Sequence, residues 1–176
     1  MDINILIEKL EKFTDKTVLL EDGEYQSKYF KPIKIDERLV KLKKDFDKNI
    51  FIENNKLIYL KDIEGLKDLL MFEKFYKDFI INVHGSVSLS NCNLNEIPVQ
   101  FDYVKGNFLC NNNQLTSLKG CPNYVGNYFT VSYNQLTSLE HCPKEVSGSF
   151  CCSNNLKKFT KGEVRKYCKA REDIVV

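Results

Sequence analysis

From residue 83 onward the apolar positions of this chain recur every 21 residues. Val83, Val104, Val125 and Val146 form one column, Val87, Phe108, Phe129 and Phe150 a second, and Leu89, Cys110, Val131 and Cys152 a third. Leu94, Leu115 and Leu136, then Ile97, Leu118 and Leu139, hold the same register, and two copies, NNNQLTSLKGCP and SYNQLTSLEHCP, are nearly identical. A fixed period of this kind overrides local propensity, because each copy is one structural unit that buries its apolar face only against its neighbours. Within FTVSYNQLTSL, Phe129 and Val131 alternate with Thr130 and Ser132, the period of two that predicts a short strand with one buried face. Leu136 and Leu139 then turn the chain inward again. Asn113, Asn134 and Asn155 stand between these halves, where a side-chain amide satisfies backbone groups freed as strand bends into loop. Stacked copies turn that column into a ladder.

The flanks predict helices. Residues 66–80, LKDLLMFEKFYKDFI, set Leu66, Leu69, Leu70, Phe72, Tyr76, Phe79 and Ile80 at helical spacings, a helix expected to bury them against the first repeat. Beyond Phe159, Thr160 and Glu163 have capping-box spacing, with Val164, Tyr167 and Cys168 on one helical face, which predicts a short capping helix. The other reading of that segment is a solvated basic tail carrying Lys161, Arg165, Lys166, Lys169 and Arg171. IFIENNKLIYLKDI fits a degenerate repeat, the preferred reading, with Ile50, Ile52, Asn55, Leu57 and Leu60 in the repeat columns. It fits equally a hairpin turning at Asn54 and Asn55, and the 37-residue offset from Ile52 to Leu89 takes it out of continuous register. Nearer the start, Ile3, Leu6, Ile7, Leu10 and Phe13 predict an amphipathic helix, Asp22 and Gly23 a turn between strand-like runs, and DERLVKLKKDF, after Pro32, a second helix.

The segments NFLCNNNQLTSL and YFTVSYNQLTSL resemble the leucine-rich repeat, LxxLxLxxNxL, with phenylalanine at the second leucine and valine or cysteine at the third. The resemblance covers residues 83–160, and the period of 21 with its recurring GCPxxV link is similar to the shorter bacterial and phage-encoded varieties. It implies an α/β fold, a short curved leucine-rich-repeat solenoid of about four coils of 21 residues with a parallel sheet on its concave face, used to bind a protein. On this reading residues 1–80 are an N-terminal α/β region ending in a helix that caps the solenoid, 81–159 are the repeats, and 160–176 are a C-terminal capping helix and tail. Cys92 stands where the first copy should carry asparagine, and the fourth copy, CSNNLKKF, is one residue short before Leu156. End repeats depart in this way because they meet caps instead of neighbours.

Composition narrows the chemistry. At 176 residues, 43% hydrophobic and 28% charged, the chain is neither disordered nor collagen-like and holds one ordinary domain or two small ones. Its 26 basic residues against 24 acidic supply no strong field for nucleic acid or an anionic membrane. No run of about eighteen apolar residues occurs, and MDINILIEKLEKF places acids inside its apolar stretch, so a cytoplasmic protein with no membrane segment is expected. The seven cysteines are odd in number, lack CxxC spacing and read as reduced thiols, while His84 and His141 lie far apart without metal-ligand spacing. No metal and no cofactor is expected, and neither GxxxxGK[ST] nor GxGxxG occurs. His141 and Cys142 are neighbours, but Gly120 precedes the equivalent Cys121, so the cysteine reads as structural and no catalytic residue is assigned.

The residues that alternate with the core columns write the concave face: Ser86, Ser88 and Ser90, then Asn107, Leu109 and Asn111, then Tyr128, Thr130 and Ser132, then Ser149, Cys151 and Ser153, with Tyr133 at a strand exit. Cys151 reads as an accessible thiol there. A neutral face with Leu109 and Tyr128 near its centre suits a protein partner, whereas phosphate contacts need arginine or lysine. The expected function is a non-enzymatic protein-binding module, monomeric or weakly dimeric. The likeness to phage and bacterial repeats, with lysine, asparagine and isoleucine abundant as in low-GC genomes, implies a small inhibitor of a host or defence complex, such as an anti-CRISPR protein. The alternative is nucleic-acid or ribonucleoprotein binding through the charged N-terminal half and the basic C-terminal residues, with Tyr29, Phe30, Tyr76 and Tyr167 for stacking.

Overall fold

The computed structural model describes residues 17–19, 24–27, 30–34, 48–53, 56–76 and 78–176. The helices expected near residues 3–13 and 36–46 and the turns at Asp22–Gly23 and Asn54–Asn55 lie outside the described residues. The chain divides into two compact units, Met1–Phe51 and Ile52–Val176. In the first, β1 (Thr17–Leu19), β2 (Glu24–Ser27) and β3 (Phe30–Lys34) form an antiparallel sheet in that order. Strand β4 (Ile50–Glu53) spans the division and neighbours β5.

The second unit is α/β with parallel sheets and few helices. Its strands come in pairs: β5 (Lys56–Tyr59) and β6 (Ile63–Glu64), β7 (Ile80–Val83) and β8 (Val87–Ser88), β9 (Gln100–Val104) and β10 (Phe108–Leu109), β11 (Tyr124–Val125) and β12 (Phe129–Thr130). Then come β13 (Glu145–Val146) and β14 (Phe150–Cys151), and last β15 (Lys169–Ala170) and β16 (Ile174–Val175). The first member of each pair adds to one parallel sheet and the second to another, so that β6, β8, β10, β12, β14 and β16 lie side by side in that order. Only a three-residue connector separates the two members, as at 105–107 and 147–149. Successive connectors stack closely enough that a Cβ built on Gly148 would sit 2.7 Å from the Asn127 carbonyl oxygen, and one on Gly126 would overlap that of Lys105.

The core is the column that the 21-residue period announced. Ile63, Val87, Phe108, Phe129, Phe150 and Ile174 pair in register across the six strands, and the most exposed of them is 5% accessible. The rings of Phe108, Phe129 and Phe150 succeed one another at centroid distances of 5.7 and 4.9 Å. Burying each such side chain contributes roughly 1.5–3 kcal/mol. In the other sheet Tyr59, Val83, Val104, Val125 and Val146 are the matching buried column.

Several expectations need correction. The repeats predict a single parallel sheet; the second exists because the Val83 column has its own short alternation, with Ile81 and Val83 buried and Asn82 half-buried between them. The ladder runs from Lys56 to Val175, six strand pairs in place of about four coils. Residues 56–64 do join it, as Leu57 pairs with Ile81 and Ile63 with Val87, but at an offset of 24 residues and not through Ile52 and Leu89. Helix α1 (Gly65–Tyr76) occupies the connection from β6 to β7 and stops at Tyr76, whose carbonyl accepts the Phe79 N–H at 3.0 Å, so that Ile80 begins a strand. Its buried stripe is Leu69, Phe72 and Tyr76, whereas Leu66 and Leu70, expected to be buried, stay exposed. Helix α2 (Lys161–Tyr167) starts with the anticipated capping box: Thr160 Oγ1 accepts the Glu163 N–H at 3.2 Å and Glu163 Oε2 accepts the Thr160 N–H at 2.9 Å. Beyond α2 the chain forms no tail but the last strand pair, β15 and β16.

The asparagine column works as a ladder. Asn134 Oδ1 accepts the Leu115 N–H at 2.9 Å while its Nδ2 donates to the Cys110 and Val131 carbonyls at 2.9 and 3.1 Å. Asn113 and Asn155 repeat this one repeat earlier and later, with Leu94 and Leu136 as the donors to Oδ1. Leu156 does not enter the leucine column. Lys157 makes the backbone bond to Leu136 that Gln135 makes to Leu115, and the extra residue, Leu156, is pushed out to 72% exposure.

Candidate functional site

The outward positions of the six-stranded sheet form one surface. The register sets Glu64, Ser88, Leu109, Thr130, Cys151 and Val175 in a row across it. Beside this row run the last connector residues, Asp62, Ser86, Asn107, Tyr128, Ser149 and Asp173, and on its other side the strand exits Ser90, Asn111, Ser132 and Ser153.

The connector residues are tied from one repeat to the next. Asp62 Oδ1 accepts the Ser86 N–H at 2.5 Å, Ser86 Oγ accepts that of Asn107 at 3.1 Å, and Asn107 Oδ1 accepts that of Tyr128 at 3.1 Å. On the exit side Ser90 Oγ donates to Asn111 Oδ1 at 2.7 Å, and the Ser132 and Ser153 hydroxyls lie 3.2 Å apart. These bonds tie the surface residues of each repeat to those of the next.

Of the expected site residues, Asn107, Leu109, Asn111, Tyr128, Thr130, Ser132, Ser149 and Cys151 fall in these columns, though unequally available, and Tyr133 follows the Ser132 strand exit. Tyr128 and Tyr133 are exposed, at 39% and 57%, while Asn107, Leu109, Asn111 and Thr130 are half-buried. Ser132, Ser149 and Cys151 are buried, which corrects the expectation of an accessible thiol at 151, whose Sγ lies 3.6 Å from the Tyr128 hydroxyl. Sequence reasoning misses Glu64 and Val175, which share the row, because both lie outside the 21-residue period; it also misses the exposed Leu156, which it places in the core.

Tyr133 carries an unusual backbone. The equivalent positions, Asn91, Asn112 and Asn154, have φ of 59°, 55° and 54°, and Tyr133 has 56°. Asparagine tolerates this left-handed conformation because its short amide bonds locally, whereas tyrosine has no such compensation. The same repeat holds His141 at φ 66° where its near-identical neighbour has Gly120 at 94°.

Groups able to do chemistry are placed differently. Burial pushes the thiols of Cys110, Cys142, Cys152 and Cys168 up to about 12 and that of Cys121 well above its ordinary value, so each keeps its proton at neutral pH, the reverse of what a nucleophile needs. His141 is exposed with Nε2 3.8 Å from Glu140, and His84 is exposed against the Tyr103 ring. Among the described residues no three histidine, cysteine or acidic groups converge to hold a metal, and no helix is long and apolar enough to cross a membrane.

The alternative basic patch is partly neutralised. Lys161, Arg165, Lys166 and Lys169 are exposed, but Arg171 donates through Nε and Nη2 to Glu145 Oε1 at 3.0 and 2.5 Å. Lys157 pairs with Glu163 at 2.7 Å. Of the aromatic residues suggested for stacking, Tyr76 is buried at 3% and Tyr167 is half exposed, while Tyr29 lies outside the described residues. On the outer face of the other sheet Tyr103 and Tyr124 stack on each other at 5.1 Å and 4°.

No protein-family model, no curated protein and no solved structure matches this chain.

Proposed function

We propose that the repeats form a short solenoid of the leucine-rich-repeat kind, and that the protein is a non-enzymatic binding module whose six-stranded sheet docks one protein partner on its outward, concave face. The observation that carries this reading is Tyr133, a large exposed ring held at φ 56° where the other repeats place asparagine. Backbone strain of this sort persists where a side chain is wanted for what it contacts. Tyrosine supplies broad apolar area with a hydrogen-bonding tip, and few residues of an interface carry most of its energy, so Tyr133 and Tyr128 are the anchors and Leu109 and Thr130 the floor between them. The thiol of this face, Cys151, is buried, which points away from covalent chemistry there. Such a module acts by occupancy, as an inhibitor of a host or defence complex would.

The test is affinity capture from a low-GC bacterial lysate at low and high salt, comparing the natural chain with Tyr128→Ala combined with Tyr133→Ala. A protein partner retained at high salt and lost by the double variant is the expected result. A partner that depends on nucleic acid, dissociates at high salt and ignores the variant would overturn the reading, because phosphate contacts are the salt-sensitive ones.

A further inference from the structure

The geometry points to a particular kind of partner for this face: a protein segment with an apolar centre and a lysine or arginine toward each end. This inference rests on the reading of the face as a docking surface and adds its charge. Across the row and the connector column every charged member is an acid. Asp62 and Glu64 stand at the β6 end and Asp173 at the β16 end, joined there by Glu172, and all four are exposed. Everything between them in these two columns is neutral, with Leu109 and Tyr128 in the middle. None of the 26 lysines and arginines of the chain occupies either column.

Nearby cations do not cancel these ends. Arg171, which precedes Glu172 and Asp173, is turned to the other sheet by its two bonds to Glu145. Glu172 is held at the face by Ser149, whose Oγ lies 3.2 Å from its Oε2. At the opposite end Lys61 and Lys67 are outnumbered by Asp62, Glu64 and Asp68, the last of which accepts the Glu64 backbone N–H at 2.9 Å.

Five strand spacings separate β6 from β16, about 24 Å at ~4.8 Å per strand. A helix covers that distance in about 16 residues at ~1.5 Å each, so a matching segment carries its basic residues roughly that far apart. Charge placed in this way steers encounter and rejects wrong partners more than it adds affinity. An RNA or DNA strand laid along these two columns would meet two acidic ends and no cation between them.

The experiment is selection of a random displayed peptide library, about 16 residues long, on the full chain. The selected peptides are then titrated against three forms: the natural chain, Glu64→Lys with Asp173→Lys, and Tyr128→Ala with Tyr133→Ala, each checked by circular dichroism. Expected are peptides with lysine or arginine toward both ends of an apolar centre, bound roughly tenfold more weakly by the charge-reversed form and more weakly still as salt rises. Should the reversed form fail to fold, Glu64→Gln with Asp173→Asn replaces it, with a loss of about threefold. Peptides that depend on the two tyrosines but have no basic ends, or ignore the charge changes, overturn this inference and leave the docking face standing. Failure to select any peptide, or selected peptides indifferent to both pairs of substitutions, overturns the docking face as well.

Discussion

Replacing Tyr133 by asparagine should make the protein more stable while weakening its binding. The perturbation is defined by the molecule itself, since Asn91, Asn112 and Asn154 occupy the same place in other repeats within 5° of the same φ. The left-handed conformation costs an ordinary L-residue roughly 1–2 kcal/mol, and asparagine recovers much of this through its side-chain amide. Against that gain stands the packing lost with the ring, which is small because the side chain is 57% exposed. The net expectation is a gain of about 0.5–1 kcal/mol, which raises Tm by about 1–4 °C in a domain of this size. The reciprocal change, Asn112→Tyr, should lower Tm by a similar amount, since it imposes the same strain one repeat earlier. Urea titration of both variants, with m unchanged, supplies the free energies. If Tyr133→Asn proves neutral or destabilising while Asn112→Tyr costs nothing, tyrosine is at ease in this backbone, and strain no longer points to function here.

Two other predictions concern the interior. Asn134→Ala removes an acceptor from the Leu115 N–H and a donor from the Cys110 and Val131 carbonyls, groups with no water to turn to, so it should cost about 2–4 kcal/mol, read as a lower urea midpoint. A loss below about 0.5 kcal/mol would mean that the loops stand without their ladder. High pH should unfold the chain cooperatively. The folded state holds the Cys110 and Cys142 protons to about pH 12, whereas an exposed thiol releases its proton near 8.5, so the stability these thiols contribute is whole below about pH 8.5 and is lost as pH rises toward 12. For these two alone the loss is about 3 kcal/mol per pH unit across that window. Thiolate absorbance and circular dichroism should therefore change together, and thiols that titrate near pH 9 with the fold intact would refute the account.

How much of this was readable in the sequence depends on how long each signal persisted. The column of Val87, Phe108, Phe129 and Phe150 repeats at one interval, so its burial and register were plain, and the asparagine ladder came with it. The capping box at Thr160 was readable because its two bonds depend on residues three apart. Signals failed where the interval changed. Ile63 and Ile174 are the same core column at spacings of 24, and α1 and α2 are inserted beside them, so the first and last strand pairs escaped notice. The second sheet was missed for another reason: β11, β13 and β15 are two residues long, too short for alternation to be seen. At 151 the alternation gave the strand face, but the thiol is buried and touches the Tyr128 hydroxyl, a contact from 23 residues away that alternation does not carry.

The two near-identical copies separate what the fold requires from what it merely permits. NNNQLTSLKGCP and SYNQLTSLEHCP agree at the buried ladder asparagines, at Leu115 and Leu136, Leu118 and Leu139, and at Cys121 and Cys142, and also at the exposed glutamine, threonine and serine between them. They differ at four positions, where Asn111, Asn112, Lys119 and Gly120 become Ser132, Tyr133, Glu140 and His141. Two of the four are the left-handed positions, and at both the second copy takes the residue less suited to that backbone. Folding alone would favour the first copy's choices at these places. The second copy thus gives up stability to expose a phenol and an imidazole, and the proposed docking face is centred on the repeat that does so.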